Sequence, residues 1–237
     1  LKRIARMKGK GKVKLFIVGA LPMVTYGEQV LGWTPATIRP LRIKAARARG
    51  LLSPGCDLEL AWQCCPHNDP LGRGLATFVR YATEWWNTTL PSRATGAMLT
   101  AKQLASAFDS ALRRLEASNF SWSACTAPLS NALMWVHYGG WIILSPVSFL
   151  DHNAQSVNLL VGSPVVARDL LLEAVRLQSA AKTTAKLQVR EGIPPEFDCS
   201  KLWFHPLQAV IRSSKWTAKE KYWVKAFTSG GVVTASR

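Results

Sequence analysis

Few residues of this 237-residue chain are of types and spacings that could do chemistry. Cys56 and the run Cys64-Cys65-Pro66-His67 supply thiolate and imidazole donors. Their spacing matches no tetrahedral zinc set, and adjacent cysteines rarely both ligate one ion. They read as buried or loop thiols, and no metal or cofactor is expected. His67 and Asp69 are close in sequence, but a catalytic pair needs a nucleophile and an orienting group, so they read as turn residues ahead of a helix. His152 and His205 read as a turn and a helix-edge histidine. No P-loop, dinucleotide fingerprint, HExxH or GxSxG motif occurs, and the chain is expected to hold no catalytic residue of its own.

The remaining chemical resource is cationic charge. Thirty Lys+Arg stand against 14 Asp+Glu, a net of +16 and a pI near 10.1. Such an excess points to a polyanion, nucleic acid first and an anionic membrane surface second. It is concentrated at the ends. Residues 1–50 hold 12 Lys+Arg and one acid, Glu28, residues 51–181 hold eight against nine, and residues 182–237 hold ten against four. Lys2, Arg3, Arg6, Lys8, Lys10, Lys12 and Lys14 form one cluster, partly interleaved with glycine. Arg39, Arg42, Lys44, Arg47 and Arg49 form a second, on a helix. These are the candidate nucleic-acid contacts. Helical spacing puts 39, 42 and 49 on one side and leaves 44 and 47 off it, which suits contact across a broad phosphate backbone more than insertion into a groove. A solvated charged helix or a nuclear-import signal would use the same residues. Of the ten tryptophans, most fall among apolar residues and read as core. Trp216 and Trp223, beside Lys215, Lys219, Lys221 and Lys225, are the better candidates for stacking on bases.

The elements that must carry these residues read as mainly α. At 48% hydrophobic residues the chain can bury a core and is not a disordered polymer. Residues 14–31 show helical spacing with a kink expected at Pro22 and a stop at Gly32. Thr34-Pro35 opens the helix of the second basic cluster, with Pro40 inside it. Asp69-Pro70 opens a helix with the stripe Phe78, Tyr81, Trp85 and Trp86. Thr100 caps another, with the stripe Leu104, Phe108, Leu112 and Leu115. A further helix spans about 126–138, and a small β-hairpin lies near 141–161, turning at Asp151-His152-Asn153. Ser163-Pro164 begins a long helix to about Val189, Gly192-Ile193-Pro194-Pro195 is a linker, and Thr217 with Glu220 fits a capping box. The organisation expected is a basic segment 1–50, an apolar helical connector 51–191 and a basic helical segment 192–237. From Ala117 to Leu150 no charged residue occurs. That length could cross a bilayer, but Asn119, Asn131, His137, Gly139-Gly140 and Pro146 interrupt it, so it reads as buried core and no membrane partner is expected. Five cysteines without disulfide-like spacing, and an opening unlike a secretory signal, suggest free thiols and an intracellular site, nucleus or cytoplasm. Leu1 in place of Met suggests a piece of a longer protein.

The segment Ala20–Gly32 (ALPMVTYGEQVLG) resembles the stretch just after the palm in reverse transcriptases of non-LTR retrotransposons, where a Tyr-Gly element leads into the thumb. The segment from Thr34-Pro35 to Arg47 resembles the next helix of such proteins, especially retroelement-like open reading frames of dinoflagellates. Further similarities lie at Asp69-Pro70, Tyr81 to Trp85, Gly140-Trp141, Ser163-Pro164, Gly192–Pro195 and from Trp216 to Thr234. The resemblance implies a helical, thumb-like N-terminal part that grips a template–primer duplex, followed by a helical connector. It also implies a parent RNA-directed DNA polymerase whose paired metal-binding aspartates lie upstream in the same polypeptide, since no Asp-Asp pair occurs in this chain. A structural RNA-binding protein, such as an organellar ribosome component, is the alternative.

Overall fold

Helix ends are where this sequence dictates structure most directly. The computed structural model describes residues 14–24, 26–52, 56–64, 66, 69–89, 99–189, 198 and 205–228. The helix expected over residues 14–31 is replaced by a π-helical turn at Phe16–Ala20, a short α1 (Leu21–Val24) and a short α2 (Glu28–Leu31). The break comes at Gly27, not Pro22: Gly27 adopts φ 76, a left-handed conformation that interrupts the helix and costs least for glycine. Gly32, at φ 70, ends α2 as expected.

Helix α3 (Pro35–Ala48) runs through Pro40 without stopping. The proline removes one backbone donor, and the buried Ile38, Leu41, Ala45, Ala46 and Ala48 hold the helix in place. Gly50, at φ 66, closes it: Leu51 N–H donates to the Ala46 carbonyl at 2.9 Å and Gly50 N–H to that of Arg47 at 3.1 Å, a Schellman motif. Helix α4 (Leu58–Cys64) starts on the Asp57 carboxylate, which accepts from Glu59 N–H and Leu60 N–H.

Pro70 opens a 3₁₀ turn (Pro70–Leu75) that passes into α5 (Ala76–Thr88), which buries Phe78, Tyr81 and Trp85 while Trp86 is half-buried. Helix α6 (Ala101–Ala117) begins with a full capping box between Thr100 and Gln103 and buries Leu104, Phe108, Ala111 and Leu115. Leu112, expected in that stripe, is only half-buried. Its end turns on two left-handed residues, Asn119 at φ 50 and Phe120 at φ 51, and the Phe120 ring stacks on His137 with centroids 4.2 Å apart. Helix α7 (Pro128–Tyr138) lies within the charge-free stretch of the sequence. Its residues Ser130 to Val136 are all buried, so it is a core helix. No described helix is long and apolar enough to cross a membrane.

The expected hairpin is part of a three-stranded antiparallel meander, β1 (Ile142–Ile143), β2 (Ser148–Leu150) and β3 (Ser156–Asn158). Ile142 pairs with Leu150, and Phe149 pairs with both Ile143 and Val157. The buried Asp151 carboxylate shapes the β2–β3 turn by accepting from Asn153 N–H and Gln155 N–H. Helix α8 (Pro164–Gln188) follows Ser163 as expected, and α9 (His205–Arg212) and α10 (Ala218–Thr228) complete the order. Thr217 and Glu220 form the expected reciprocal cap on α10. The linker at Gly192–Pro195 lies outside the described residues.

The chain groups into two compact units that interleave in sequence. One comprises residues 27–35 and 71–178. Its core includes Phe78 edge-on to Trp141 at 6.1 Å, and the Trp33 carbonyl accepts from both Trp135 Nε1 and Asn131 Nδ2. The other comprises residues 1–26, 36–70 and 179–237. In it, α4 is the hub: Leu60 clusters with Ala180 and Leu187 of α8, and α9 and α10 both pack on α4.

Candidate nucleic-acid interface

The two units differ sharply in charge. Over the described residues, the α4-centred unit carries 13 Lys+Arg against five Asp+Glu, and the other carries seven against seven. Both basic ends of the sequence fall in the first of these.

Helix α3 is built to turn cations outward. Ile38, Leu41, Ala45 and Ala48 define its inner side, which leaves Arg39, Lys44 and Arg47 exposed. None of these three has a carboxylate partner among the described residues. Lys14 is also exposed. Arg49 is half-buried, its guanidinium 5.7 Å from the centre of the Trp62 ring, a cation–π distance. Lys2, Arg3, Arg6, Lys8, Lys10 and Lys12 lie outside the described residues.

Arg42 is a correction to the expected set. It is 4% exposed and points into the unit, so it cannot reach a ligand phosphate. Its Nε and Nη2 donate to the two oxygens of Asp69, each at 2.9 Å, and its Nη1 and Nη2 donate to the two oxygens of Glu59 at 2.6 and 2.9 Å. Burial alone would make the guanidinium less basic, but Asp69 and Glu59 outweigh it and hold Arg42 more basic than a free arginine. A position i+4 from Ile38 and one beyond Leu41 falls on the inner side of the helix. The apolar spacing of α3 was the available signal: Arg42 falls between Leu41 and Ala45 on the buried side, whereas Arg39, three positions earlier, lies at the exposed margin of that side.

The described acids of this unit are engaged inside it. Asp69 and Glu59 hold Arg42, Asp57 starts α4, Glu220 caps α10, and Asp198 accepts from Thr184 at 3.5 Å. The unit therefore keeps a cationic excess on its surface. Exposed cations outside the expected set add to it: Lys186 on α8, Arg212 on α9, Lys215 in the turn after α9 and Lys219 at the start of α10.

Cys64 is buried in α4, and no cluster that could hold a metal ion occurs among the described residues. Cys65 and His67 lie outside them. His152 sits exposed in the β2–β3 turn. Comparison with family models, curated proteins and solved structures gives no match.

Proposed function

We propose that the chain is a nucleic-acid-binding, non-catalytic portion of a reverse transcriptase of the non-LTR retrotransposon type, gripping a template–primer duplex through its phosphates. The observation that carries the binding reading is the segregation of charge over the described residues: one unit holds the cationic excess, with its described carboxylates turned to internal contacts, while the other is neutral. The exposed cations Arg39, Lys44 and Arg47 suit phosphate oxygens. The polymerase assignment rests on the sequence resemblance.

The test is anisotropy titration of labelled RNA–DNA hybrids of several sequences at roughly 50 and 200 mM salt. Replacing Arg39, Lys44 and Arg47 together by Ala should weaken binding equally for every sequence. It should also reduce the salt slope by about 0.9 for each phosphate no longer neutralised. Unchanged affinity and slope overturn the reading. A structural RNA-binding protein would use the same cations, and strong preference for RNA duplex over the hybrid would favour it.

A further inference from the structure

We infer that the exposed side of α10 and the turn before it form a stacking site for single-stranded nucleic acid, built from Lys215, Trp216, Lys219, Tyr222 and Trp223. The inference rests on the proposed nucleic-acid reading and names a ligand class for a surface separate from α3.

The argument begins with aromatic rings left in water. Trp62, Trp85, Trp135 and Trp141 are buried, whereas Trp216, Tyr222 and Trp223 are 42, 48 and 54% exposed. Leaving large rings exposed forgoes the burial that normally fixes such side chains. Three of them within eight residues is a local concentration of half-exposed rings. Spacing along the chain brings them together with cations. Lys219 to Tyr222 and Lys219 to Trp223 are steps of three and four, the neighbour distances of a helix surface, and Lys215 and Trp216 lie in the turn that leads into α10.

The second observation is charge. Lys215 and Lys219 are exposed, with no carboxylate partner among the described residues. The acid on this stretch, Glu220, is turned back onto Thr217, whose N–H and hydroxyl both donate to its Oε2 at 2.7 Å. The rings therefore sit among positive charges that no described carboxylate pairs with. The Tyr222 and Trp223 rings meet edge to face, 5.9 Å apart and 72° inclined, so they are not stacked on each other.

Rings among ammonium groups match a single strand, whose bases offer unoccupied π-faces and whose phosphates follow alongside. A duplex has no such faces, because its bases already stack. A membrane surface is the competing partner. It calls for an amphipathic helix with a broad aliphatic side free to enter the lipid, but α10 packs on α4, and the exposed large apolar side chains described on this stretch are the three aromatics alone.

The test uses the full chain, a 15-nucleotide single strand of uridine or thymidine, an RNA–DNA hybrid, and vesicles containing phosphatidylserine. The single strand should quench tryptophan fluorescence and bind in a salt-dependent way. Trp216→Ala with Trp223→Ala should lower single-strand affinity by about tenfold or more, from the energy of base–aromatic stacking, with hybrid affinity unchanged. Trp216→Phe with Trp223→Phe should keep affinity and lose the quenching. This pair also keeps the test decisive if the alanine variant does not fold. Unchanged single-strand affinity in the alanine variant, or unchanged quenching in the phenylalanine variant, overturns the stacking site and leaves the duplex reading standing. Binding to vesicles in place of the single strand also overturns it. A wild-type chain that binds neither strand nor hybrid overturns both readings.

Discussion

Arg42 separates the fold from the proposed binding surface, and its removal gives the sharpest test of the division. In Arg42→Ala, four hydrogen bonds disappear and the Asp69 and Glu59 carboxylates lose the guanidinium that both bind. The Asp69 side chain is 1% exposed and the Glu59 side chain 24%, so Glu59 can regain water but Asp69 cannot. Breaking a buried ion pair by removing one partner costs about 3–5 kcal/mol, mostly from the stranded charge, and the buried Asp69 places this case within that range. Arg42→Lys should lose somewhat less, because a single ammonium keeps the charge but cannot make paired contacts to two carboxylates. Arg42→Met combined with Asp69→Asn and Glu59→Gln should recover much of the loss, since no stranded charge remains. Urea unfolding followed by circular dichroism, with hybrid binding measured on the protein that stays folded, reads both quantities. If Arg42→Ala leaves stability within about 0.5 kcal/mol, the range of ordinary surface substitutions, and lowers affinity as much as Arg39→Ala does, then Arg42 faces the ligand and the argument fails.

Two further outcomes test the neutral unit. Gly32→Ala should destabilise by about 2–5 kcal/mol, combining a left-handed backbone with overpacking: at φ +70 its Cβ would lie 2.4 Å from Asn131 Cγ. Urea unfolding reads this, and a loss below about 1 kcal/mol refutes the packing around Asn131. The Cys125 thiol, pushed up to about 11 by burial, is almost wholly protonated at pH 8. Since the thiolate is the nucleophile, mass-spectrometric alkylation at this cysteine should be slow at pH 8 and rise steeply toward pH 11. A rate at pH 8 equal to that of an unstructured cysteine peptide contradicts the burial.

What could be read from the sequence was what neighbours decide. The caps at Thr100 and Thr217, the start after Ser163 and the stop at Gly32 each depend on chemistry within a few residues, and each is present. The stripe Leu104, Phe108 and Leu115 was equally legible, but the choice between Ala111 and Leu112 depends on which side α7 covers. The role of Arg42 was harder, because its partners lie 17 and 27 positions away. Charge spacing alone made it a surface residue, although the apolar residues of its own helix argued otherwise. The break at Gly27 replaced a single helix because a left-handed glycine leaves no signature that distinguishes it from a helical one. The interleaving of residues 36–70 with 179–237 in one unit is a matter of long-range packing with no local trace. The exposed tryptophans of the basic tail were singled out by composition, and their exposure could only come from the structure.

The turn after α6 holds a reserve of conformational tension. Asparagine tolerates the left-handed region, but a phenylalanine held there at φ 51 is working against its own backbone, at a cost of order 1–3 kcal/mol. Its ring resting on His137 is the visible compensation. The two side chains thus act as a latch on a bent spring. Removing the imidazole releases the catch and leaves the bend, whereas glycine at 120 would relax the bend and make the catch unnecessary, so these two changes at one ring pair should move stability by unequal amounts.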